Sequence, residues 1–352
     1  MTLRAIHVGL GGRGSHWLDF IAQRSDVISV GCVDASREIL DRARARPDMA
    51  NSRFFERMEE ALLAVQADFV LIATPSFLHA PQALQALNAG FAVLVEKPFG
   101  LNLPEAAAVA KRAREVGRPV VVAENFRFFQ AERTLRAFLD SGAAGRIGNI
   151  VCVDRRDQSS RTQGSWVKSM PHPFLTEIGV HHFDAFRYLF GREPRAVTAM
   201  SYKPQGTDYD HEGGAHALLE FSDGLGLQYS GTFVASRYEY EMYIEAENGD
   251  VKSNRSRVWW RPKDERSFRV IPPRPLPPGE ALRYPQAGMS TILNQFSAAL
   301  HGRGVPETSG EDSLWTLAML EAAILSVHEG RKVSIAEVFP VSMRLENQGE
   351  SG

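Results

Sequence analysis

Cysteine is almost missing from this chain: Cys32 and Cys152 are the only two in 352 residues. They fall in different predicted strands and different halves, so no disulfide framework is expected and a reducing compartment fits. Long apolar runs are missing too. None approaches the roughly 20 residues that cross a bilayer, and no basic-then-apolar leader opens the chain. A cytoplasmic protein with no membrane partner is expected. Nor is there an excess of one charge: 40 Lys and Arg stand against 42 Asp and Glu, a net −2. Nucleic-acid binding needs a strongly basic face, so no nucleic-acid partner is expected. Internal repeats are absent as well.

What is present is length and alternation. The chain is long enough for two domains of roughly 100–200 residues and for a core that needs no disulfide or metal. Its first third alternates apolar runs with helical patterns. Ala5–Leu10, Val27–Asp34, Asp68–Thr74, Phe91–Glu96 and Pro119–Ala123 read as strands. Ser15–Gln23, Ser36–Arg46, Pro81–Ala89 and Pro104–Val116 read as helices between them. Such alternation predicts a parallel sheet covered by helices.

The pattern changes after a helix near Ala131–Ser141. Asn149–Asp157, Arg195–Lys203, His216–Ser222, Leu225–Val234 and Glu239–Glu247 read as strands, with a tight turn at Asn248-Gly249-Asp250. Helices are predicted over Phe174–Phe190, Thr291–Leu300 and Asp312–Glu329. This half is α+β with a mostly antiparallel sheet. The expected division is 1–124 for the first domain, 125–340 for the second and 341–352 for a tail. Pro262–Pro285 carries Pro272-Pro273, Pro275 and Pro277-Pro278. It cannot sit inside a sheet and reads as a surface loop, with a lid or subunit-exchanging arm as the sharper alternative.

Three constellations carry chemistry. Gly9-Leu10-Gly11-Gly12-Arg13-Gly14 follows the first strand and opens the first helix. Gly9 allows the tight turn, Gly11 lets a pyrophosphate approach the backbone, and Gly14 lets helix and strand pack closely. The helix N-terminus offers N–H groups and partial positive charge to phosphates. Asp34, about twenty residues past Gly14, sits where a carboxylate accepts the adenosine ribose hydroxyls. It would repel a 2′-phosphate, so NAD is expected ahead of NADP, with Arg37 able to soften the preference.

Glu96-Lys97-Pro98 ends a strand, at the edge where ligands of open α/β sheets bind. From position alone Lys97 reads equally as catalytic or as a surface lysine. In Glu177-Ile178-Gly179-Val180-His181-His182-Phe183-Asp184, a helix would put Glu177, His181 and Asp184 on one face, extended by Tyr188. Phe183, Phe186, Leu189 and Phe190 would cover the other side, and His182 reads as structural. An imidazole among carboxylates suits proton transfer near neutrality. A structural polar face fits the same pattern. A metal site from the three residues lacks any further His/Cys ligand cluster, so no metal is expected.

In this order the three pieces resemble the Gfo/Idh/MocA oxidoreductase family, named for glucose–fructose oxidoreductase, inositol dehydrogenase and a rhizopine-catabolism protein. The resemblance runs from about Leu3 to Ile335. It takes in Ala73-Thr74-Pro75 with His79, Glu96-Lys97-Pro98, Ala143–Ile150 at the entry to the second domain, and Gly310–Arg331 as the C-terminal helix. It implies a Rossmann domain followed by an α+β domain whose large open sheet forms an oligomer interface, dimeric or tetrameric. It implies a nicotinamide cofactor held by Gly9, Gly11, Gly12, Arg13, Gly14, Asp34, Thr74, Pro75, His79, Glu96 and Lys97. Lys97 would hold the substrate hydroxyl, the Lys97–Pro98 bond would be cis, and His181 matches the family's catalytic histidine. The chain departs from the pattern at Glu177, where aspartate is usual, and at Pro171-His172-Pro173-Phe174, which replaces a glycine-rich entry.

The resulting expectation is hydride transfer between a secondary alcohol of a sugar, polyol or sugar derivative and NAD, with NADP as the other cofactor. Lys97, His181 and Glu177 form the catalytic set. Arg127 and Trp166 join Glu177 and His181 at the substrate. Arg127 could equally make a structural ion pair, and Trp166 could be core. Two other readings are a glycoside-cleaving or eliminating enzyme that uses transient oxidation, and a cofactor-sensing regulator without turnover.

Overall fold

The computed structural model of the chain describes residues 2–158 and 166–340. The tail expected over 341–352 lies outside the described residues. The chain divides into two compact units: residues 2–125 with Pro278–Leu314, and Phe126–Pro277 with residues 315–340.

The first unit is built on a six-stranded sheet: β1 (Leu3–Val8), β2 (Val27–Val33), β3 (Arg53–Phe55), β4 (Phe69–Ile72), β5 (Ala92–Val95) and β6 (Val120–Val122). The order is β3-β2-β1-β4-β5-β6 and every pairing is parallel. All residues of β4, β5 and β6 are buried, which is why they read as unbroken apolar runs rather than alternating ones. The helices are α1 (Gly12–Ala22), α2 (Arg37–Arg44), α3 (Met58–Ala64), α4 (His79–Asn88) and α5 (Leu103–Glu115). Side-chain caps set two of them: Ser36 accepts from Ile39 N before α2, and Asn102 accepts from Glu105 N before α5.

The linear division at residue 124 differs from these units in one respect: 278–314 returns to the first. The reason lies at the sheet edge and in the core. Val122 N donates to Thr308 O at 2.9 Å, and Asn125 Nδ2 donates to Ala287 O at 2.9 Å. Phe296, on α8 (Met289–Leu300) in this return, meets the Phe69 ring edge-on at 5.0 Å.

The second unit carries nine strands: β7 (Ile147–Asp157), β8 (Pro194–Tyr202), β9 (Gly214–Phe221), β10 (Gly226–Thr232), β11 (Val234–Ala246), β12 (Gly249–Ser253), β13 (Val258–Pro262), β14 (Arg269–Val270) and β15 (Val333–Ser334). Their order is β14-β13-β12-β11-β7-β10-β9-β8-β15, antiparallel except for β7 with β10. Ile150, Cys152, Tyr229, Met242 and Ile244 line the buried face. The strands β12, β13, β14 and β15 were not expected. Pro262–Pro285 was expected to lie outside any sheet, yet Pro262 ends β13 and Arg269-Val270 pairs with Trp259-Trp260 as the edge strand; only the prolines from 272 onward, which have no N–H to donate, fall outside strands. The hairpin before β12 turns through Glu247–Asn248, because Gly249 already pairs with Ala246. Helices α6 (Gln130–Asp140) and α7 (Val180–Phe190) belong to this unit, and the division between units falls inside α9 (Gly310–Glu329). Among the described residues, no helix is long and apolar enough to cross a membrane.

Candidate active site

In the first unit the glycine turn leaves β1 at Gly9, whose φ of 86° few other residues tolerate. The turn presses against the end of β4: a Cβ on Gly9 would lie 2.7 Å from the Ala73 carbonyl. Gly14 is equally constrained, since a Cβ there would lie 1.9 Å from the Gly9 carbonyl oxygen. Gly12, by contrast, faces open space. No side chain caps α1 at Gly11, so its first turn presents backbone N–H groups to that space. Asp34, one residue beyond β2, is fixed beside the turn. Its Oδ2 accepts from Leu10 N and its Oδ1 from Ser36 N, both at 2.9 Å. Each oxygen keeps a lone pair for a ribose hydroxyl. These residues fit an adenine dinucleotide.

The end of β5 is a buttressed corner. Glu96 is buried and its Oε1 accepts from Arg13 Nε at 2.8 Å and Trp17 Nε1 at 2.7 Å. Burial alone would raise its pKa, but Arg13 and the Trp17 N–H hold the carboxyl below its usual range. Arg13 also donates to Pro285 O at 2.6 Å. Lys97 follows, half-buried, and its bond to Pro98 is cis. Thr74 Oγ1 donates to Gln82 at 2.7 Å.

Two expectations change here. His79 and Glu96 were expected to touch cofactor. His79 is buried with its two ring nitrogens against the carbonyls of Pro98 and Thr74, and Glu96 is committed to Arg13 and Trp17. Both side chains brace the corner through these intramolecular partners.

In the second unit the expected helix over Phe174–Phe190 begins with a π turn, Leu175–Gly179, before α7. The wider turn re-aims Glu177, which is half-buried, ahead of the α-helical His181. His181 is 7% exposed, and its imidazole stacks on Phe126 with centroids 4.2 Å apart and planes 13° from parallel. Asp184 is fully buried. It accepts from Arg127 Nε at 2.8 Å and makes a second contact with the same guanidinium. The expected acid–imidazole–acid row therefore stops at His181, because Asp184 is an internal ion-pair partner. Arg127, 4% exposed, makes the ion pair that was one of its two readings. Trp166 is 43% exposed in the turn Trp166–Ser169, so it is not core.

One cluster escaped the sequence reading. His182 is buried, with Nδ1 2.6 Å from Tyr229 Oη and Nε2 3.0 Å from Asp154 Oδ2. Burial, reinforced by the nearby Arg255 charge, lowers the His182 pKa to about 3. Arg156 holds Asp154 with two hydrogen bonds of 2.8 Å. A signal existed: Asp154 continues the inward alternation Ile150, Cys152 on β7, where a carboxylate demands partners. Among the described residues, no group of three or more His, Cys, Asp or Glu is arranged to hold a metal ion.

Residues 3–124 match the oxidoreductase family described as an NAD-binding Rossmann fold, and residues 133–252 match the Gfo/Idh/MocA C-terminal domain. The D-apiose dehydrogenase of Paraburkholderia graminis is 31% identical over 80% of this chain and 77% of its own. The inositol 2-dehydrogenase of Renibacterium salmoninarum is 26% identical over 94% and 97%. An Agrobacterium radiobacter oxidoreductase solved with NAD+, L-tartaric acid and magnesium has the same fold, with a TM-score of 0.85 at 21% identity over 96% and 99% of the two chains.

Proposed function

Because the chain belongs to the Gfo/Idh/MocA family of NAD-binding oxidoreductases, we propose that it moves hydride between a secondary alcohol of a sugar, polyol or sugar derivative and a nicotinamide cofactor, with NAD preferred over NADP. The observation that carries this reading is Asp34: a carboxylate locked by two backbone N–H groups beside an uncapped glycine turn. It is shaped for ribose hydroxyls and hostile to a 2′-phosphate. The relatives named for D-apiose and inositol support a polyhydroxy substrate.

The nicotinamide, when bound, accepts or returns hydride at its C4. In the proposed chemistry Lys97 holds the substrate oxygen and stabilises its developing negative charge. His181 takes the hydroxyl proton in oxidation and gives it back in reduction. Glu177 orients His181 or binds a neighbouring hydroxyl. Copies of the chain associate through the solvent face of the nine-stranded sheet.

The test is a sugar and polyol panel followed by NAD and NADP reduction in parallel. Net NADH with at least one alcohol is expected. On that alcohol, Lys97→Ala and His181→Ala should each lower kcat by about 10²–10⁴. Full hydride transfer in both variants would sink the assignment. Bond cleavage without net NADH would identify a transient-oxidation enzyme instead, and NAD binding without turnover a regulator.

A further inference from the structure

Arg255 is a charge placed where the fold would ordinarily put none. It sits in the turn between β12 and β13 at φ 66°, the left-handed region that glycine or asparagine usually fills. Asn254 forms the turn around it, its Oδ1 accepting from Ser256 N and Arg257 N. Turn residues normally point to water, yet the Arg255 side chain is 8% exposed. It points inward, with Nε 3.1 Å from Glu132 Oε1 on α6 and Nη1 3.9 Å from Asp154 Oδ2 on β7.

The guanidinium is also stacked. Its central carbon lies 3.9 Å from the Tyr240 ring centroid and 4.2 Å from that of Phe126. The His181 imidazole lies on the same Phe126 ring, also at 4.2 Å. Two planar groups cannot share one face of a benzene ring at those distances without overlapping. They occupy opposite faces, and the order of layers is Tyr240, Arg255, Phe126, His181.

We propose that Arg255 is a positioning residue for His181: it clamps Phe126 from behind and thereby fixes the plane in which the imidazole sits. The proposal rests on the reading of His181 as the proton-transferring group. A simpler role would be to neutralise buried carboxylates. Asp154 does not need it, since Arg156 and His182 already meet that carboxylate. Glu132 does, because Arg255 provides its ion pair. Neutralising Glu132, however, requires neither a guanidinium sandwiched between two rings nor a strained turn to deliver it.

The two roles separate in a double variant. Arg255→Met alone leaves Glu132 buried without its cation and can fail to fold. Glu132→Gln/Arg255→Met removes the charges together and leaves the clamp absent. With histidine labelled at 13Cε1, the His181 resonance, assigned by its loss in His181→Asn, carries an upfield ring-current shift from Phe126. Positioning predicts that the double variant folds, loses much of that shift and broadens. It also predicts that kcat falls about tenfold, with KM little changed, on the alcohol the panel identifies. Phe126→Leu, which keeps the Arg255–Glu132 pair, should lower kcat to a similar degree. A double variant with an unmoved His181 resonance and full kcat would overturn the proposal in favour of simple charge neutralisation. Full turnover in His181→Asn would instead remove the proton-transfer reading, while the resonance shift would still report the clamp.

Discussion

The Nδ1 atom of His79 lies 2.7 Å from the carbonyl oxygen of Pro98, the residue after Lys97. Its Nε2 lies 2.8 Å from Thr74 O at the end of β4. Burial lowers the pKa of this imidazole, so it is neutral near pH 7 and donates to one carbonyl at a time. The ring thus packs between the loop bearing Lys97 and the neighbouring strand end, anchored to one of them by a single hydrogen bond. His79→Phe, which keeps the bulk and removes both nitrogens, should lower kcat about ten- to a hundredfold, as small misplacements of a catalytic group do. Loss of a buried hydrogen bond should cost about 1–3 kcal/mol by urea denaturation. A variant less stable but fully active would show that the hydrogen bond serves folding alone.

Asp34 predicts cofactor choice. Asp34→Asn removes the charge and keeps an oxygen acceptor for one of the two backbone N–H groups. Its Kd for NADP should fall relative to that for NAD by tenfold or more in fluorescence titration, since a like charge beside a 2′-phosphate has been taken away. Arg37 does little to offset Asp34 as it stands, because its side chain is 82% exposed and pairs with Glu56. An unchanged ratio of the two Kd values would remove Asp34 as the discriminating group.

How much of this was legible depended on how local the cause was. The glycine turn, Asp34 and Glu96-Lys97-Pro98 are set by strand ends and turn geometry, which short segments encode. The π turn at Leu175–Gly179 was not legible, because apolar periodicity sees a helix but not one extra residue within it. Asp184 and Arg127 are distant in sequence, so a helical stripe placed the acid on a functional face that packing then closed. Nothing in Ser253-Asn254-Arg255-Ser256-Arg257 singles out Arg255, and only the tertiary fold turns it inward. The return of 278–314 was hidden for the same reason: Asn125 and Ala287 meet across 162 residues.

The solvent face of the nine-stranded sheet predicts association. Met200 and Leu218 are 58% and 57% exposed. Register puts both on the face that carries the partly covered Val151 and Val153. Exposed apolar side chains on an open sheet face are an expected contact between copies. Leu218→Lys should shift the protein toward monomer in light scattering at micromolar concentration, with its secondary structure intact. An oligomer unaffected by the change, or a wild-type monomer, would exclude this face.

His7 predicts how the fold responds to acid. It lies in β1, fully buried, and neither ring nitrogen has a hydrogen-bond partner among the described residues. Burial, with a smaller contribution from Arg46, lowers its pKa from 6.5 to about 3. The unfolded chain takes up a proton at this residue below about pH 6.5, and the folded chain does not until about pH 3. Stability from this group is therefore complete above pH 6.5 and lost as pH falls through that window, by about 1.4 kcal/mol per unit. His7→Leu removes the titration without breaking a hydrogen bond. Between pH 7.5 and 4.5 the wild type should lose roughly 2–3 kcal/mol more stability than the variant in urea denaturation. Carboxylates and His182 contribute equally to both proteins and cancel in that difference. Equal losses would mean that His7 is protonated in the folded protein, which its apolar surroundings forbid unless the strand opens.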